Sequence, residues 1–248
     1  YYLAEVLSAG ETWRVDSSGR PQSDVIQLPP APATTPLPVV RLHDSVFLIG
    51  TVNVDETTRT LSPKVLDRSA VFDLHHVDLF ATPASPTDGN DPYAPTLKRV
   101  RALLSDRPRS LAALAPSEED VETVAQLLSD LAEVGSALGG PVGYRQRDAI
   151  LTMLTLGVRH GLDDVLSVDT ILDIGLRSAV MPKWQGSTPA AYAALRRALS
   201  TLLDTEVPDD ATIGTLQSQA SVSRYPRSCE KLLTMIVQFT SLGYFSAW

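Results

Sequence analysis

Between Ser117 and Leu138 the apolar residues Val121, Val124, Leu127, Leu128, Leu131 and Val134 recur at helical spacing. Side chains three and four apart lie on the same side of an α-helix, so this segment is predicted to be a helix with one buried face. Ser117 and Asp120 stand ahead of it with the spacing of a capping box. Further helical patterns follow at about 144–160, 165–180, 189–204 and 227–242. Such helices hide their apolar stripes only against one another, so the chain from 96 to 248 is expected to form an all-helical domain.

The first part, 1–95, reads differently. Trp13 to Gln27 alternates loosely and turns at Ser17-Ser18-Gly19-Arg20-Pro21, as a short hairpin would. The prolines from Leu28 to Pro38 disfavour helix and predict an exposed loop. Ser45 to Asn53 has a continuous apolar middle ending in a polar residue, the pattern of a strand buried on both faces of a parallel sheet. Ser62-Pro63-Lys64-Val65-Leu66-Asp67-Arg68 predicts a short helix with Ser62 as N-cap and Pro63 at its first position, and Val71 to Leu74 a further strand. Pro83 to Pro95 is loop-like.

Composition narrows the functions open to the chain. Its 248 residues are 44% hydrophobic, enough for a sizeable core, and carry a net charge of −8. That balance argues against a general electrostatic grip on nucleic acid, which depends on Lys and Arg neutralising phosphates. The basic cluster Lys98, Arg99, Arg101, Arg107 and Arg109 reads as a solvated linker, with docking to DNA or to an acidic partner as the sharper alternative. A single cysteine, Cys229, excludes an internal disulfide framework and fits a reducing compartment. No apolar run approaches the roughly 18 residues a bilayer span requires, and no basic-then-apolar leader opens the chain, so a cytoplasmic location is expected. The chain starts at Tyr1 in a helix-like segment with no cap ahead of it, from which we expect sequence upstream. His43, His75, His76 and His160 lack the spacing of a metal site and read as structural. The neighbouring carboxylates Asp55 and Glu56 read as a solvated loop or a partner contact rather than acid–base machinery. Trp184 and Trp248 read as packing residues.

The most informative block is Gly50-Thr51-Val52-Asn53, followed by Leu66-Asp67-Arg68. It resembles the stretch of McrB-type AAA+ NTPases that runs from sensor 1 to the arginine finger. Gly143-Tyr144-Arg145, Met181-Pro182-Lys183-Trp184-Gln185-Gly186-Ser187 and the ending from Arg227 to Trp248 resemble the same family in the same order, as does the opening Tyr1 to Ala9. The resemblance implies an α/β fold: the C-terminal part of a P-loop NTPase core with its late parallel strands in 1–95, followed by a helical lid in 96–248.

It also implies roles for particular residues. Asn53 would hold the attacking water, since a neutral amide can hydrogen-bond both water and a phosphate oxygen. Arg68 would reach a neighbouring subunit's γ-phosphate, and its ordinary alternative is a surface pair with Asp67 or Asp73. Arg145, with Gly143 and Tyr144 at the start of a lid helix, would contact bound nucleotide, with Arg147 as its competitor. The cofactor implied is ATP or GTP with Mg2+. The sequence contains no Gly-x-x-x-x-Gly-Lys-Ser/Thr loop, so this stretch alone is expected to be inactive. The partners implied are further copies in a hexameric ring, a nuclease subunit resembling McrC, and DNA reached through a partner or an upstream domain, in restriction or phage defence. Asn53-Val54-Asp55-Glu56 departs from the family's Asn-Thr-Ala-Asp, which leaves the contact to the nuclease partner open. The alternatives are a MoxR-like chaperone ATPase and a non-catalytic remnant that serves as an assembly scaffold.

Overall fold

A computed structural model describes residues 4–18, 21–26, 39–43, 46, 48–52, 61–67, 69–72, 114–208 and 210–247. The chain separates into two compact units, Tyr1–Asn53 and Val54–Trp248.

In the first unit, helix α1 (Ala4–Ala9) precedes an antiparallel hairpin of β1 (Trp13–Val15) and β2 (Pro21–Ser23), in the register Trp13 to Ser23. The hairpin falls where the alternation predicts it. The Asp16 carboxylate opens its turn by accepting from Ser18 N at 2.9 Å. A second antiparallel pair joins β3 (Val25–Ile26) to β4 (Val40–Arg41). The buried Ser23 hydroxyl accepts from Leu42 N at 2.8 Å.

The expectation of late parallel strands from an α/β NTPase core is overturned. Among the described residues every sheet is a two-stranded antiparallel pair, and residues 46 and 48–52 form no strand. The physical reason lies in what a central strand needs. A parallel strand buried on both faces requires hydrogen-bonding neighbours at each edge and cover above and below. The apolar run finds neither among the described residues, and Leu48 and Ile49 stay 60% and 94% exposed. Residues 71–72, expected to begin a strand, are also outside any sheet, while 73–74, the Pro-rich loop at 28–38, the loop at 83–95 and the basic cluster at 98–109 lie outside the described residues.

The second unit is mostly helical, as the periodicity over 96–248 predicts, although one short antiparallel strand pair departs from an all-helical domain. Its described elements are α2 (Pro63–Leu66), α3 (Glu118–Ala137), α4 (Tyr144–Arg159), α5 (Val168–Gly175), α6 (Pro189–Leu203), α7 (Ile213–Ser221) and α8 (Pro226–Leu242). Caps fix the starts of these helices. Ser117, Ser167, Thr188 and Thr212 each accept a backbone N–H three residues on, which satisfies a donor the helix itself cannot. Helices α3, α6 and α8 pack in sequence across the core, with α4 against α3, α5 against α4 and α8, and α7 against α8. Leu131, Leu151, Leu154, Leu172, Leu195, Leu199 and Leu232 are all fully buried in one cluster.

Helix α5 continues as a π turn, Leu176–Val180, and then a 3-10 turn, Met181–Lys183. Widening of the helix lets the Ser178 carbonyl accept from Val71 N at 3.0 Å, which ties residues 69–72 to the helices. Trp184 follows, fully buried, donating from Nε1 to Gly140 O at 3.3 Å. Strand β5 (Gln185–Gly186) then pairs antiparallel with β6 (Phe245–Ser246), closing the end of the unit over Phe239 and Tyr192. Trp184 thus fills the packing role expected of it; Trp248 lies outside the described residues.

Candidate functional site

Asn53 and Arg68, the residues expected to act in catalysis, lie outside the described residues, as do Asp55 and Glu56. Their neighbour Asp67 is described, and it anchors a cluster of charges in the helical unit.

The segment leading to Asp67 starts at Ser62, whose carbonyl accepts from Val65 N at 2.9 Å and Leu66 N at 3.2 Å, so that the Pro63 turn forms as predicted. Leu66 is buried and fixes the turn, which presents Asp67 at its end. Three side chains meet that carboxylate. Lys183 Nζ donates to Oδ1 at 2.8 Å and Gln146 Nε2 to the same oxygen at 3.1 Å, while Arg145 pairs with Oδ2.

Each partner is positioned by local chemistry. Arg145 and Gln146 sit in the first turn of α4, which begins at the extended N-cap residue Gly143. The Gln146 side-chain oxygen turns back to accept from Gly143 N at 3.1 Å, leaving its NH2 group for Asp67. Lys183 ends the 3-10 turn between Pro182 and the buried Trp184, so its stem is held among apolar groups. The Lys183 side chain is 7% exposed, whereas those of Asp67 and Arg145 are 33% and 52% exposed. Burial pushes the Lys183 ammonium below its ordinary pKa, and the Arg145 charge pushes it further the same way. Among the described residues one carboxylate thus faces two cations.

The cluster separates the two arginines proposed for nucleotide contact. Arg145 is the one engaged with Asp67. Arg147 pairs with the adjacent Asp148 at 2.7 Å and lies over the Tyr144 ring at 4.8 Å. Tyr144 is itself largely exposed beside Gly143 at the helix start.

Lys183 and Gln146 are site residues that sequence reasoning did not single out. Among the described residues no group of three or more His, Cys, Asp or Glu is placed to hold a metal ion. Cys229 is buried, and burial raises its thiol pKa against the opposing contact from the Ser223 hydroxyl at 3.5 Å.

Residues 99–244 match the model of a family described as a domain of unknown function, DUF8727. The chain belongs to this DUF8727 family. The match takes in α3 through α8 and therefore Arg145, Gln146 and Lys183, but not Asp67. In the cluster a carboxylate from outside the DUF8727 region is held by three side chains from within it. No curated protein and no solved structure matches the chain.

Proposed function

We propose that this DUF8727 chain is the C-terminal part of a nucleoside triphosphatase subunit of the McrB type, which assembles into a ring and drives a nuclease partner against foreign DNA. In this reading the helical unit is the lid, Arg145 and its neighbours Gly143 and Tyr144 approach bound ATP or GTP with its Mg2+, and Asn53 positions water. Arg68 serves the next subunit. The proposal takes nothing from a parallel-stranded core; it rests on the order of the sequence motifs and on the helical unit.

The observation that carries it is the bond set at Asp67. The residue just before the proposed finger is tied by Lys183, Gln146 and Arg145 to the lid helix proposed to sense nucleotide. A change in the tilt of α4 therefore has a direct mechanical route to the finger segment. Among the described residues no helix is long and apolar enough to cross a membrane, and the proposed location is the cytoplasm.

The test uses the whole protein with its nucleotide-binding loop. Arg68→Ala should lower turnover by about 10³-fold or more while leaving nucleotide affinity nearly unchanged. Mixing it with a subunit deficient in the phosphate-binding loop should restore some active sites; no recovery in mixed rings would remove the trans role. Asn53→Ala should slow hydrolysis more than it weakens binding.

A second reading, an assembly scaffold without catalysis, is favoured by one observation: the helical unit has its own closed core, and no parallel sheet accompanies it among the described residues. Failure of the whole protein to bind either nucleotide would select it.

A further inference from the structure

Helices α7 and α8 border a groove of about 420 Å³ whose chemistry differs from that of an ordinary solvated face. Ile213, Leu233, Val237 and Leu242 supply its apolar surface, Gln217 and Gln238 its amides, and Glu230 is the single charged lining residue among the described ones. The stretches from Ala211 to Ser223 and from Leu232 to Trp248 hold no Asp, Glu, Lys or Arg, in a chain that is 20% charged. A helix face left to water normally carries charges, so two adjoining helices largely stripped of them have the composition of an interface centre.

The polar groups on these helices ask little of a partner. Thr234 donates to Glu230 O at 3.0 Å, Thr240 to Val237 O at 3.0 Å, Ser218 to Gly214 O at 3.1 Å and Ser221 to Ser218 O at 2.8 Å, each along its own helix. The Gln238 side-chain oxygen accepts from Ser246 N at 3.4 Å. Hydroxyls turned back in this way lose little when water is excluded, whereas an unmet donor would oppose burial. Val237, Leu242 and Tyr244 meanwhile stand exposed toward the end of α8.

We propose that a second copy of this chain docks in the groove, with α8 antiparallel to its mate across a two-fold axis near Val237. A neutral face is met best by another neutral face, and the chain itself carries one. Its net charge of −8 points the same way, because two such copies repel unless they meet where charge is absent. In the antiparallel arrangement Leu242 of each copy lies toward Leu233 of the other. The two Glu230 carboxylates then stand at opposite ends of the contact, separated by about twelve residues of helix or roughly 18 Å. That separation exceeds the screening length of about 10 Å in 0.1 M salt. A two-fold contact closes on itself, unlike the head-to-tail contacts of a ring, and stands whether or not the chain belongs to a motor.

Sedimentation velocity of the full chain without nucleotide, across a wide range of concentrations, tests it. The wild type should pass reversibly from monomer to dimer as concentration rises, and the dimer should tighten when salt screens the net charge. Val237→Asp should keep the native melting temperature while weakening the dimer by about tenfold or more, since it sets two like charges against each other. Val237→Lys should do the same, and an equimolar mixture of the two variants should recover association, because position 237 then faces an opposite charge. A wild-type chain that stays monomeric at every concentration would overturn the proposal, as would undiminished association of Val237→Asp, or a mixture that recovers nothing. A melting temperature lowered in both variants at concentrations where the chain is monomeric would show position 237 to be committed to its own fold, and would also overturn it.

Discussion

Replacing Asp67 with Asn keeps the shape of the cluster and removes the carboxylate that Lys183, Gln146 and Arg145 share. The cost is set by what stays behind. Arg145, with its side chain 52% exposed, returns to water, and such a pair is worth at most about 1 kcal/mol. Lys183, with 7% exposure, cannot do so, and its ammonium would remain buried beside another cation. Breaking a buried pair by removing one partner costs about 3–5 kcal/mol. Asp67 is one-third exposed, which admits some water, so we expect a loss of about 2–3 kcal/mol. Lys183→Met removes the buried charge together with its partner's bond, and Asp67 retains Arg145 and Gln146, so that variant should lose under about 1 kcal/mol. The double variant should resemble Lys183→Met alone, a coupling of about 2 kcal/mol. The pH dependence has a definite sign. The folded-state pKa of Lys183 lies below 10.5, so between those two values the unfolded chain binds more protons and this residue's contribution to stability rises with pH. Without the carboxylate the folded pKa falls further, and the deficit of Asp67→Asn should narrow as the solution becomes alkaline. Urea unfolding followed by far-ultraviolet circular dichroism measures all of this. Wild-type stability in Asp67→Asn, or a double variant destabilised by the sum of the singles, would refute the buried-charge account.

Three further expectations concern the frame that holds the site. Gly186→Ala would place its Cβ 2.5 Å from Ala191 Cβ and 3.0 Å from Phe245 Cζ, so it should cost about 2–3 kcal/mol in thermal unfolding, partly recovered by adding Ala191→Gly. Asp173→Ala leaves two amides at the start of α8 without their acceptor and should cost about 2 kcal/mol, with faster hydrogen exchange at Arg227 and Ser228; unaltered exchange would show the cap to be dispensable. Cys229, buried and with its thiol pKa raised by that burial, should react with a thiol reagent only as fast as the unit opens, and a rapid stoichiometric reaction of the native protein would contradict its placement.

Where the pattern repeats over several turns, the helices stand as expected: the segments predicted at 117–138, 144–160, 189–204 and 227–242 appear within a residue or so of their ends. Helix α7 carries only two buried residues, Leu216 and Ala220, a single helical spacing that periodicity cannot separate from chance; its legible mark was Thr212, whose hydroxyl accepts from Thr215 N at 3.3 Å. The segment expected at 165–180 also hides its change of winding, because an apolar pattern of this length does not distinguish the α turns of α5 from the π turn at Leu176–Val180. The run at 45–53 misled for a different reason. A continuous apolar stretch states what a segment would bury, and says nothing of whether neighbours exist to pair with it.

At the site the same limit applies in reverse, since its local half was readable and its distant half was not. Arg147 has a tyrosine three residues back and an acid next to it, and it meets both within α4. Arg145 has the same acid three residues on, at the spacing where helix side chains meet, yet it also reaches Asp67 outside the helix. Lys183 carried the more useful signal. It lies between proline and tryptophan, in a span from 174 to 203 that contains no Asp or Glu. A lysine held in apolar surroundings without a carboxylate nearby in sequence must either lose its charge or recruit an acid across the fold, because burying an unpaired ammonium costs several kcal/mol. The chain takes the second course, with Asp67 116 positions away. What the sequence could not supply is which acid, for the choice depends on where Leu66 packs and where the π turn docks Val71, two contacts that exist only once the helices have assembled.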